Sequence, residues 1–352
     1  MHPSYPVITT VIPTFRRPEL LRRAVTSVLN QTYPHVLACV YDNASGDETE
    51  RIVAELADRD GRVSYHRHSR NIGSYPNFNF GIERVETSFF SLLSDDDLLA
   101  PTFYETALAA LERHPEAGLA CLATLVVDTE LNVITRPIHI PEVKLYSPGD
   151  ALDGMIRADI PGTWTAILFR REVRNAIGLI DLDVGPSADC GFVYYAAARF
   201  PVVVAPGVGG ILMAHDASNS GTVPPIGRKY MAWWDTMLAR IAGDRMVTEA
   251  TRARLYMHPP QDYRHTGVMQ VAKSLALGNY TYARAAASGV KECGYPVTSV
   301  WLGLCIWLFE KLSLLRLAMA VRNTRRHFHS DRHKRLNEKF GHLVSFARQY
   351  KK

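Results

Sequence analysis

The feature that most constrains the fold is a regular alternation of apolar and amphipathic segments between residues 7 and 127. Residues 7–15, 38–41 and 63–67 are rich in Val, Ile, Thr and Tyr, a composition typical of strands. The segments between them carry apolar residues at every third or fourth position, which is typical of helices. Strands that alternate with helices in this way indicate a mostly parallel sheet with helices on both faces.

The remainder of the chain is less regular at first and then becomes helical. Two further strands are predicted at residues 89–93 and 118–127, followed by a strand at 163–169 and two short ones at 202–205 and 210–213. The pattern after residue 229 is helical. We therefore predict an α/β domain at residues 1–225, a helical extension at 226–298, and an amphipathic helix with a basic tail at 299–352.

Three consecutive aspartates, Asp95 to Asp97, follow the fourth predicted strand, and Asp42 ends the second. Ligands of an open parallel sheet bind beyond the carboxyl ends of its strands. Adjacent carboxylates repel, and a divalent cation offsets that repulsion; Mg²⁺ is typically held by one or two carboxylates together with substrate phosphates. If the strand continued through the triplet, Asp95 and Asp97 would face one way and Asp96 the other. The cluster predicts a site for a metal and a diphosphate.

The sequence lacks several motifs that are typical of other classes of nucleotide-binding protein. It has neither a Walker A motif nor a GxGxxG after the first strand, which argues against a P-loop ATPase and a dinucleotide-binding fold. Its five cysteines include no CxxC pair, so we expect no disulfide framework and a reducing compartment. The N-terminus lacks the pattern of a secretory signal peptide, so we expect a cytoplasmic protein.

Four motifs in order resemble the inverting family 2 glycosyltransferases, which have the GT-A fold. They are VIPTFRRPELLRRAVTSVLNQTYP, VYDNASGDET, NIGSYPNFNFGI and FFSLLSDDDLLAP. The resemblance is dense over residues 5–115 and continues thinly to about 220. It implies a Rossmann-like catalytic domain that transfers a sugar from a UDP-, dTDP- or GDP-linked donor to a hydroxyl of a glycan or lipid-linked acceptor.

The resemblance also implies roles for single residues on the donor side. Asp42 should bind the nucleotide base, and Thr14 and Arg16 should line the same pocket, with Asn71 also contacting the nucleotide sugar. In the DxD-type element, Asp97 should bind Mn²⁺ or Mg²⁺ and Asp95 ribose or the metal. Asp96 should bind the donor or face the acceptor, and the triplet leaves the register open by one residue.

The general base of the family usually belongs to a Glu-Asp pair, and the matching stretch here is GPSADCGFVYYAAARF. Ala188 replaces the expected Glu, whereas Asp189 remains and is our predicted base. An alternative reading is that Asp189 caps a helix beginning near Gly191. Asp181 and Asp183 are the other candidate bases.

The remaining predicted site residues lie further along the chain. His215 follows a predicted strand, and the resemblance implies that it completes the metal site or touches the diphosphate; an imidazole ligand would favour Mn²⁺ over Mg²⁺. Arg228 and Lys229 could close over the diphosphate. Trp164 and Thr165 resemble the acceptor side, where Trp164 either stacks on a sugar or belongs to the core.

The C-terminal segment predicts contact with a membrane surface. Residues 300–321 are long and apolar, but Glu310, Lys311 and Arg316 make a membrane-spanning helix unfavourable. Residues 322–352 contain ten Lys and Arg against two acidic residues, a net charge of +8. An apolar helix beside a basic tail favours peripheral binding to the anionic inner face of the cell membrane. A contact between copies of the chain is the alternative.

Two functions other than glycosyl transfer are alternatives for this sequence. A sugar-nucleotide pyrophosphorylase would need a Gly-rich loop near the N-terminus, and the segment PTFRRPE lacks one. A nucleic-acid or other anionic-surface binder could use the basic tail. Nucleic-acid binding would leave the Asp triplet unexplained, because carboxylates repel phosphate. We therefore expect no nucleic-acid partner.

Overall fold

The computed structural model describes residues 5–214, 225–257, 263–276, 279–311 and 335–349. Ten strands of the described residues form one sheet. They are β1 (Ile8–Thr14), β2 (Val36–Asp42), β3 (Val63–Arg67), β4 (Phe89–Leu92), β5 (Leu98–Leu99), β6 (Leu119–Val127), β7 (Val133–Thr135), β8 (Lys144–Tyr146), β9 (Ile167–Arg170) and β10 (Val202–Met213).

The strand order is β3-β2-β1-β4-β9-β6-β10-β5, with β7 beside β6 and β8 beside β10. The pairs β1/β2, β2/β3, β1/β4 and β6/β10 are parallel. β9 runs antiparallel to both of its neighbours, β4 and β6. The predicted mostly parallel α/β sheet is confirmed. Because β1 and β2 end in register at Thr14 and Asp42, polar side chains at their carboxyl ends meet at one edge.

The sheet is accompanied by α-helices, of which the following have defined bounds in the described part of the chain. They are α1 (Pro18–Leu29), α2 (Thr49–Arg59), α3 (Ser74–Glu83), α4 (Phe103–Arg113), α5 (Pro148–Ile156), α6 (Arg171–Ile177), α7 (Ala188–Arg199), α8 (Arg228–Gly243), α9 (Glu249–Met257), α10 (Tyr263–Ala276), α11 (Tyr280–Glu292), α12 (Pro296–Lys311) and α13 (Gly341–Gln349). Two short 3-10 helices span Trp164–Ala166 and Leu182–Ser187.

Two apolar cores cover the two faces of the sheet, because successive side chains of a strand point to opposite faces. In β1, Ile8 and Ile12 belong to the core under α1, α2 and α4, and Val11 belongs to the core under α3 and α7. This second core extends to Trp234 and Val290, so α8 and α11 pack against the α/β part. The boundary at residue 225 remains a prediction.

The structure corrects three details of the predicted elements. Residues 163–169 begin as a 3-10 helix and become strand β9 only at Ile167. The two short strands predicted at 202–205 and 210–213 are one strand, β10, whose pairing with β6 shifts register near Val208. The helix predicted to begin near Gly191 begins at Ala188. None of the helices in the described residues combines the length and apolar composition needed to cross a bilayer.

Candidate functional site

A cavity of about 1300 Å³ opens at the carboxyl edge of the sheet. It is lined by side chains from widely separated parts of the sequence, which the strand ends and their following loops bring together. Of the residues that the sequence predicted for the site, eight line it: Thr14, Asn71, Asp95, Asp96, Asp97, Trp164, Thr165 and Asp189.

The aspartate triplet lies in a turn rather than in an extension of the strand. β4 ends at Leu92, and the backbone N–H of Asp97 donates to the carbonyl of Ser94 at 3.1 Å. The expectation for an extended triplet, in which Asp95 and Asp97 face one way and Asp96 the other, is therefore wrong. All three aspartates line the same cavity. β5 then begins at Leu98 and pairs antiparallel with β10.

Arg17 is the cation that faces two of these carboxylates. Its Nη1 atom lies 3.1 Å from Oδ1 of Asp95 and 2.8 Å from Oδ2 of Asp96. Thr14 also donates to Asp95, from Oγ1 to Oδ2 at 2.8 Å. Asp95 is buried, and burial together with the charge of Asp96 raises its pKa, although Arg17 opposes the rise. The carboxylates are therefore partly, but not fully, compensated by the protein.

Asp97 is held deeper, between β10 and the 3-10 helix at Trp164–Ala166. Its Oδ1 accepts the backbone N–H of Met213 at 3.1 Å, and its Oδ2 accepts the hydroxyl of Thr165 at 3.0 Å. Burial is the main cause that raises its pKa, and the negative charge of Asp96 adds to it. These two contacts fix the orientation of the carboxylate at the cavity wall.

The residues fit a divalent cation by the chemistry of their donor atoms. Clustered carboxylates whose pKa values are raised by burial and by each other gain most from a nearby positive charge. Within the described residues, no three His, Cys, Asp or Glu side chains are arranged to hold an ion together. One or two carboxylates with substrate phosphates suffice for Mg²⁺. His215, the third predicted ligand, lies outside the described residues.

Asp189 lines the cavity from the first turn of α7. The hydroxyl of Tyr75 donates to its Oδ1 at 3.4 Å. Burial raises the pKa of Asp189, whereas hydrogen bonds from backbone N–H groups and from Tyr75 oppose the rise. A carboxylate with a raised pKa at a cavity wall is suited to accept a proton. Because α7 starts at Ala188, Asp189 lies within the helix instead of capping a later one.

The other two candidate bases do not line this cavity. Asp181 forms an ion pair with Arg240, and its side chain accepts the backbone N–H of Asp183. Asp183 is exposed at the surface. Their positions leave Asp189 as the candidate base among the three.

Two of the predicted donor-side residues, Asp42 and Arg16, are not among those that line the cavity. Asp42 is buried; its Oδ1 accepts the backbone N–H and the hydroxyl of Ser45, and its Oδ2 accepts the hydroxyl of Tyr65. Arg16 has a positive φ of 56° and donates from Nε to the carbonyl of Ser45 at 3.2 Å. Both residues hydrogen-bond to Ser45, Asp42 from a buried position and Arg16 from an exposed one. Their contacts with the nucleotide remain predictions.

The neighbouring residue Asn43 lines the cavity directly and ties two loops together. Its Nδ2 donates to Oδ1 of Asn71 at 2.9 Å, and its Oδ1 accepts the backbone N–H of Ile72 at 2.7 Å. This arrangement presents amide groups at the end of β2. Amides of this kind can pair with the polar edge of a nucleotide base.

On the predicted acceptor side, Trp164 and Thr165 occupy different environments. Trp164 is mostly buried and packs against Phe78 with ring centroids 4.5 Å apart, and it also approaches Tyr75 at 6.4 Å. One edge of Trp164 still lines the cavity. Thr165 is buried and binds Asp97. The structure therefore gives Trp164 a core role and a cavity contact together.

Arg228 and Lys229 lie in the first turn of α8 and are not among the residues that line the cavity. The backbone N–H of Arg228 donates to Glu292 at 3.0 Å. The ammonium group of Lys229 lies 5.5 Å from the centre of the Trp233 ring. Contact of either residue with a diphosphate remains a prediction.

The sequence reasoning missed several residues that line the cavity: Arg17, Asn43, Tyr75, Cys190, Gln270, Ser274, Asn279 and Tyr282. The first four lie inside the sequence stretches quoted above, so those stretches contained a signal for them. The last four belong to α10, α11 and the segment between them, where the sequence offers helical periodicity but no motif.

Residues 9–177 match the sequence model of the protein family Glycosyl transferase family 2. A similar curated protein is the GalNAc(5)-diNAcBac-PP-undecaprenol beta-1,3-glucosyltransferase of Campylobacter jejuni. It is 33% identical over 116 residues, which are 33% of this chain and 36% of that protein. The chain spans only between 16% and 36% of the first curated relatives that it matches.

Solved structures of similar fold cover more of the chain. S. aureus TarS 1–349 in complex with UDP-GlcNAc matches with a TM-score of 0.59 and 12% identity, over 81% of each chain. The mannosyltransferase PcManGT from Pyrobaculum calidifontis, in complex with GDP-Man and Mn²⁺, matches with a TM-score of 0.50 and 18% identity, over 92% of this chain and 88% of that one. At these identities the likeness shows the GT-A fold.

Proposed function

We propose that this chain transfers a sugar with inversion of the anomeric centre. The premise is that the chain belongs to glycosyl transferase family 2, whose model its residues 9–177 match. The donor is a UDP-, dTDP- or GDP-linked sugar, and the acceptor is a hydroxyl of a glycan or lipid-linked saccharide. The observation that carries this proposal is the shared cavity. It brings the Asp95–Asp97 triplet and Asp189 together, although about ninety residues separate them in the sequence.

Asp189 is the general base of this reaction. One of its carboxylate oxygens takes the proton of the acceptor hydroxyl while the acceptor oxygen forms a bond to the anomeric carbon of the donor sugar. The bond from that carbon to the diphosphate oxygen breaks, and its electron pair leaves with the nucleoside diphosphate. The attack from the opposite side inverts the anomeric centre. Tyr75, which donates to Asp189, orients the carboxylate and limits the rise of its pKa.

The triplet serves the leaving diphosphate. Asp97 and Asp95 would hold Mn²⁺ or Mg²⁺ there, with His215 as the further predicted ligand. A bound divalent cation stabilises negative charge on a departing diphosphate. Arg17 already contacts Asp95 and Asp96 and lies where its guanidinium can also bind phosphate oxygens. Asn43 and Asn71 provide the polar wall for the nucleotide.

The names of the similar proteins support the choice of substrates. The Campylobacter relative is named for transfer to a saccharide linked to undecaprenol diphosphate, which supports a lipid-linked acceptor. The TarS and PcManGT structures contain UDP-GlcNAc and GDP-Man respectively, which supports a nucleoside diphosphate sugar as donor.

We further propose that the protein acts at the cytoplasmic face of the cell membrane as a peripheral protein. A cavity lined with carboxylates does not favour a nucleic-acid binder, and the segment PTFRRPE lacks the Gly-rich loop that a pyrophosphorylase would need.

A screen of nucleotide sugars tests the main proposal. UDP-, dTDP- and GDP-sugars are each tested for thermal stabilisation and for hydrolysis, with Mn²⁺ and with EDTA. At least one donor should raise the melting temperature in a metal-dependent manner. Asp189→Asn should abolish transfer and leave nucleotide affinity within about twofold. The absence of any nucleotide response would refute the function, and loss of nucleotide binding in Asp189→Asn would reassign that residue to the donor site.

A further inference from the structure

The helical extension supplies one wall of the cavity. Gln270 and Ser274 lie on α10, Tyr282 lies on α11, and Asn279 precedes it; all four line the same space as the aspartates. The family match ends at residue 177, so these residues lie outside it. We call these four residues the α10–α11 wall.

Hydrogen bonds hold the α10–α11 wall in shape. The Oε1 atom of Gln270 accepts the backbone N–H of Ile226 at 2.9 Å, which leaves the amide N–H groups as the donors of this side chain. Ser274 is buried, and its hydroxyl donates to the carbonyl of Gln270 at 2.7 Å. Asn279 caps α11 by accepting the backbone N–H of Tyr282 at 3.0 Å. The wall is therefore built into the fold rather than formed by long surface side chains.

The wall adjoins α8, and α8 packs against the helix that carries the candidate base. Gln270 of the wall accepts the backbone N–H of Ile226, two residues before α8 begins. Further along α8, the ring of Trp234 lies 6.1 Å from the ring of Tyr194 on α7, the helix that carries Asp189. The hydrogen bonds to the triplet described above come instead from the β1–α1 loop, Thr165 and β10. The wall thus belongs to the side of the cavity where Asp189 lies.

The chemistry of the wall fits a saccharide. Its groups are two amides, a hydroxyl and a phenol, all uncharged and able to donate or accept hydrogen bonds. Sugar hydroxyls need such partners, and an aromatic ring can also contact the apolar face of a sugar. The four residues include no Lys or Arg, so a phosphate group is the poorer match.

We propose that the α10–α11 wall binds the terminal sugar of the acceptor and presents its hydroxyl to Asp189. This proposal rests on the proposed function and adds to it a location for acceptor recognition outside the matched family segment. The same helices pack on α12 through Val271, Ala287 and Ile306. α12 exposes Val300, Trp301 and other apolar residues on its outer side. A saccharide site and an exposed apolar face on one helical unit fit an acceptor that has a sugar head and a lipid tail.

Binding of octyl glycosides tests this proposal, because these molecules combine a sugar head with an apolar tail. The panel comprises octyl glycosides of hexoses and N-acetylhexosamines, and binding to the full-length chain is followed by saturation-transfer NMR and calorimetry. Tyr282→Phe and Gln270→Glu should each weaken binding by about tenfold, the loss expected for removal of a hydrogen bond worth about 1.4 kcal/mol; Gln270→Glu keeps the oxygen that accepts the backbone N–H of Ile226. In both variants, donor hydrolysis without acceptor should fall much less than glycoside binding.

Tyr280→Phe is the matched control, because Tyr280 lies on the same helix and is not among the cavity-lining residues. It should bind glycosides as the wild type does. The proposal is overturned if no glycoside binds the wild type, if both wall variants bind normally, or if they lose donor hydrolysis to the same extent as glycoside binding. Failure of the proposed function would differ from these results, since the wild type would then neither bind nor hydrolyse any nucleotide sugar.

Discussion

At the scale of single residues, the contact between Tyr75 and Asp189 should control the pH at which the proposed base is deprotonated. Burial is the largest cause of the raised pKa of Asp189, and the Tyr75 hydroxyl is one of the groups that lower it. A base acts only when deprotonated, so activity should increase as the pH rises through this pKa. The acid limb of the pH profile should therefore lie above the ordinary value for aspartate of about 3.9.

Tyr75→Phe should move that acid limb to higher pH. The substitution removes a hydrogen bond to the ionised carboxylate, burial is then less opposed, and the pKa of Asp189 rises further. The measurement is kcat/KM for the donor as a function of pH. Tyr33→Phe is the control, because the Tyr33 hydroxyl donates to the carbonyl of Pro6, and neither residue lines the cavity. An acid limb that stays in place, or moves to lower pH, would contradict this role for Tyr75.

Arg17 contacts Asp95 and Asp96, so it should compete with the proposed divalent cation for these carboxylates. Arg17→Met should tighten binding of Mn²⁺ alone by about fivefold, because the ion no longer displaces a partly exposed guanidinium worth about 1 kcal/mol. The same variant should weaken binding of UDP in the presence of Mn²⁺, since a phosphate partner is lost. Calorimetry measures both affinities.

Arg22→Met is the control for Arg17→Met. Arg22 lies on α1, the helix that directly follows Arg17, and its guanidinium pairs with Glu55 and Glu19 instead of the triplet. It should leave both affinities unchanged. Weaker Mn²⁺ binding in Arg17→Met would mean that Arg17 supports the metal site instead of competing with it.

The two neighbouring arginines also show what sequence could not decide. Arg16 and Arg17 carry the same group, and we predicted a cavity role for Arg16. The positive φ of Arg16 directs its side chain to Ser45, while Arg17 faces the carboxylates. By contrast, the position of the triplet could be predicted, because the ends of neighbouring parallel strands converge wherever the loops go. Asp189 lies in the first turn of α7 instead of at a strand end, and only the resemblance of its sequence stretch to the family pointed to it.

At the scale of secondary-structure elements, α3 depends on a close approach to the sheet. A Cβ at Gly81 would lie 2.4 Å from Cγ1 of Val11 and 2.7 Å from the ring of Tyr41. α3 also carries Tyr75, which contacts Asp189, and Asn77, whose Nδ2 donates to the carbonyl of Tyr41 at 2.7 Å. The contact at Gly81 therefore sets the position of one wall of the cavity.

Gly81→Ala should lower the free energy of unfolding by about 1–3 kcal/mol, the usual cost of overpacking a core. It should also reduce kcat, because a shifted α3 moves Tyr75 away from Asp189. Denaturant unfolding and donor turnover are the measurements. Gly303→Ala is the control: Gly303 is also helical, and a Cβ there meets nothing within 4 Å. An unchanged stability in Gly81→Ala would show that α3 can move without cost.

Strand and helix periodicity predicted most of the elements, and the errors occurred where tertiary contacts override it. The segment 163–169 is β-rich, yet Trp164 packs on Phe78 and Thr165 binds Asp97. Those contacts accompany a 3-10 turn before β9. Similarly, two short strands were predicted on either side of the Gly-rich segment 207–210. Its glycines instead allow a register shift within β10, and a Cβ at Gly209 would lie 2.7 Å from the Phe103 ring.

At the scale of the whole molecule, the α/β architecture followed from local patterns, whereas the closing of the cavity by α10 and α11 did not. Helical periodicity identifies an apolar stripe and carries no information on which distant surface it meets. Val290 of α11 and Tyr230 of α8 belong to the same core as Phe90 of β4. Such long-range packing is absent from any single stretch of sequence.

The outer side of α12 is the largest apolar surface that the described residues leave exposed on one helix. Val297, Val300, Trp301, Leu304 and Trp307 are each between 45% and 73% exposed. Residues 322–352, which follow in the sequence, carry a net charge of +8. Trp side chains suit the membrane interface, and each basic residue near an anionic bilayer contributes about 1 kcal/mol. We therefore expect this side of the protein to rest on an anionic membrane.

The double substitution Trp301→Ser and Trp307→Ser should reduce binding to phosphatidylglycerol liposomes by at least about tenfold, because each buried aromatic side chain is worth about 1.5–3 kcal/mol. Cosedimentation of the full-length chain measures the effect. Binding should also weaken as salt is raised, since salt screens the basic tail from the surface. Leu182→Ser with Met246→Ser is the control pair, because both residues are exposed and lie outside α12. Equal losses in the two double variants, or none in either, would exclude α12 as the membrane contact and favour its alternative role in joining two copies of the chain, which sedimentation equilibrium would detect.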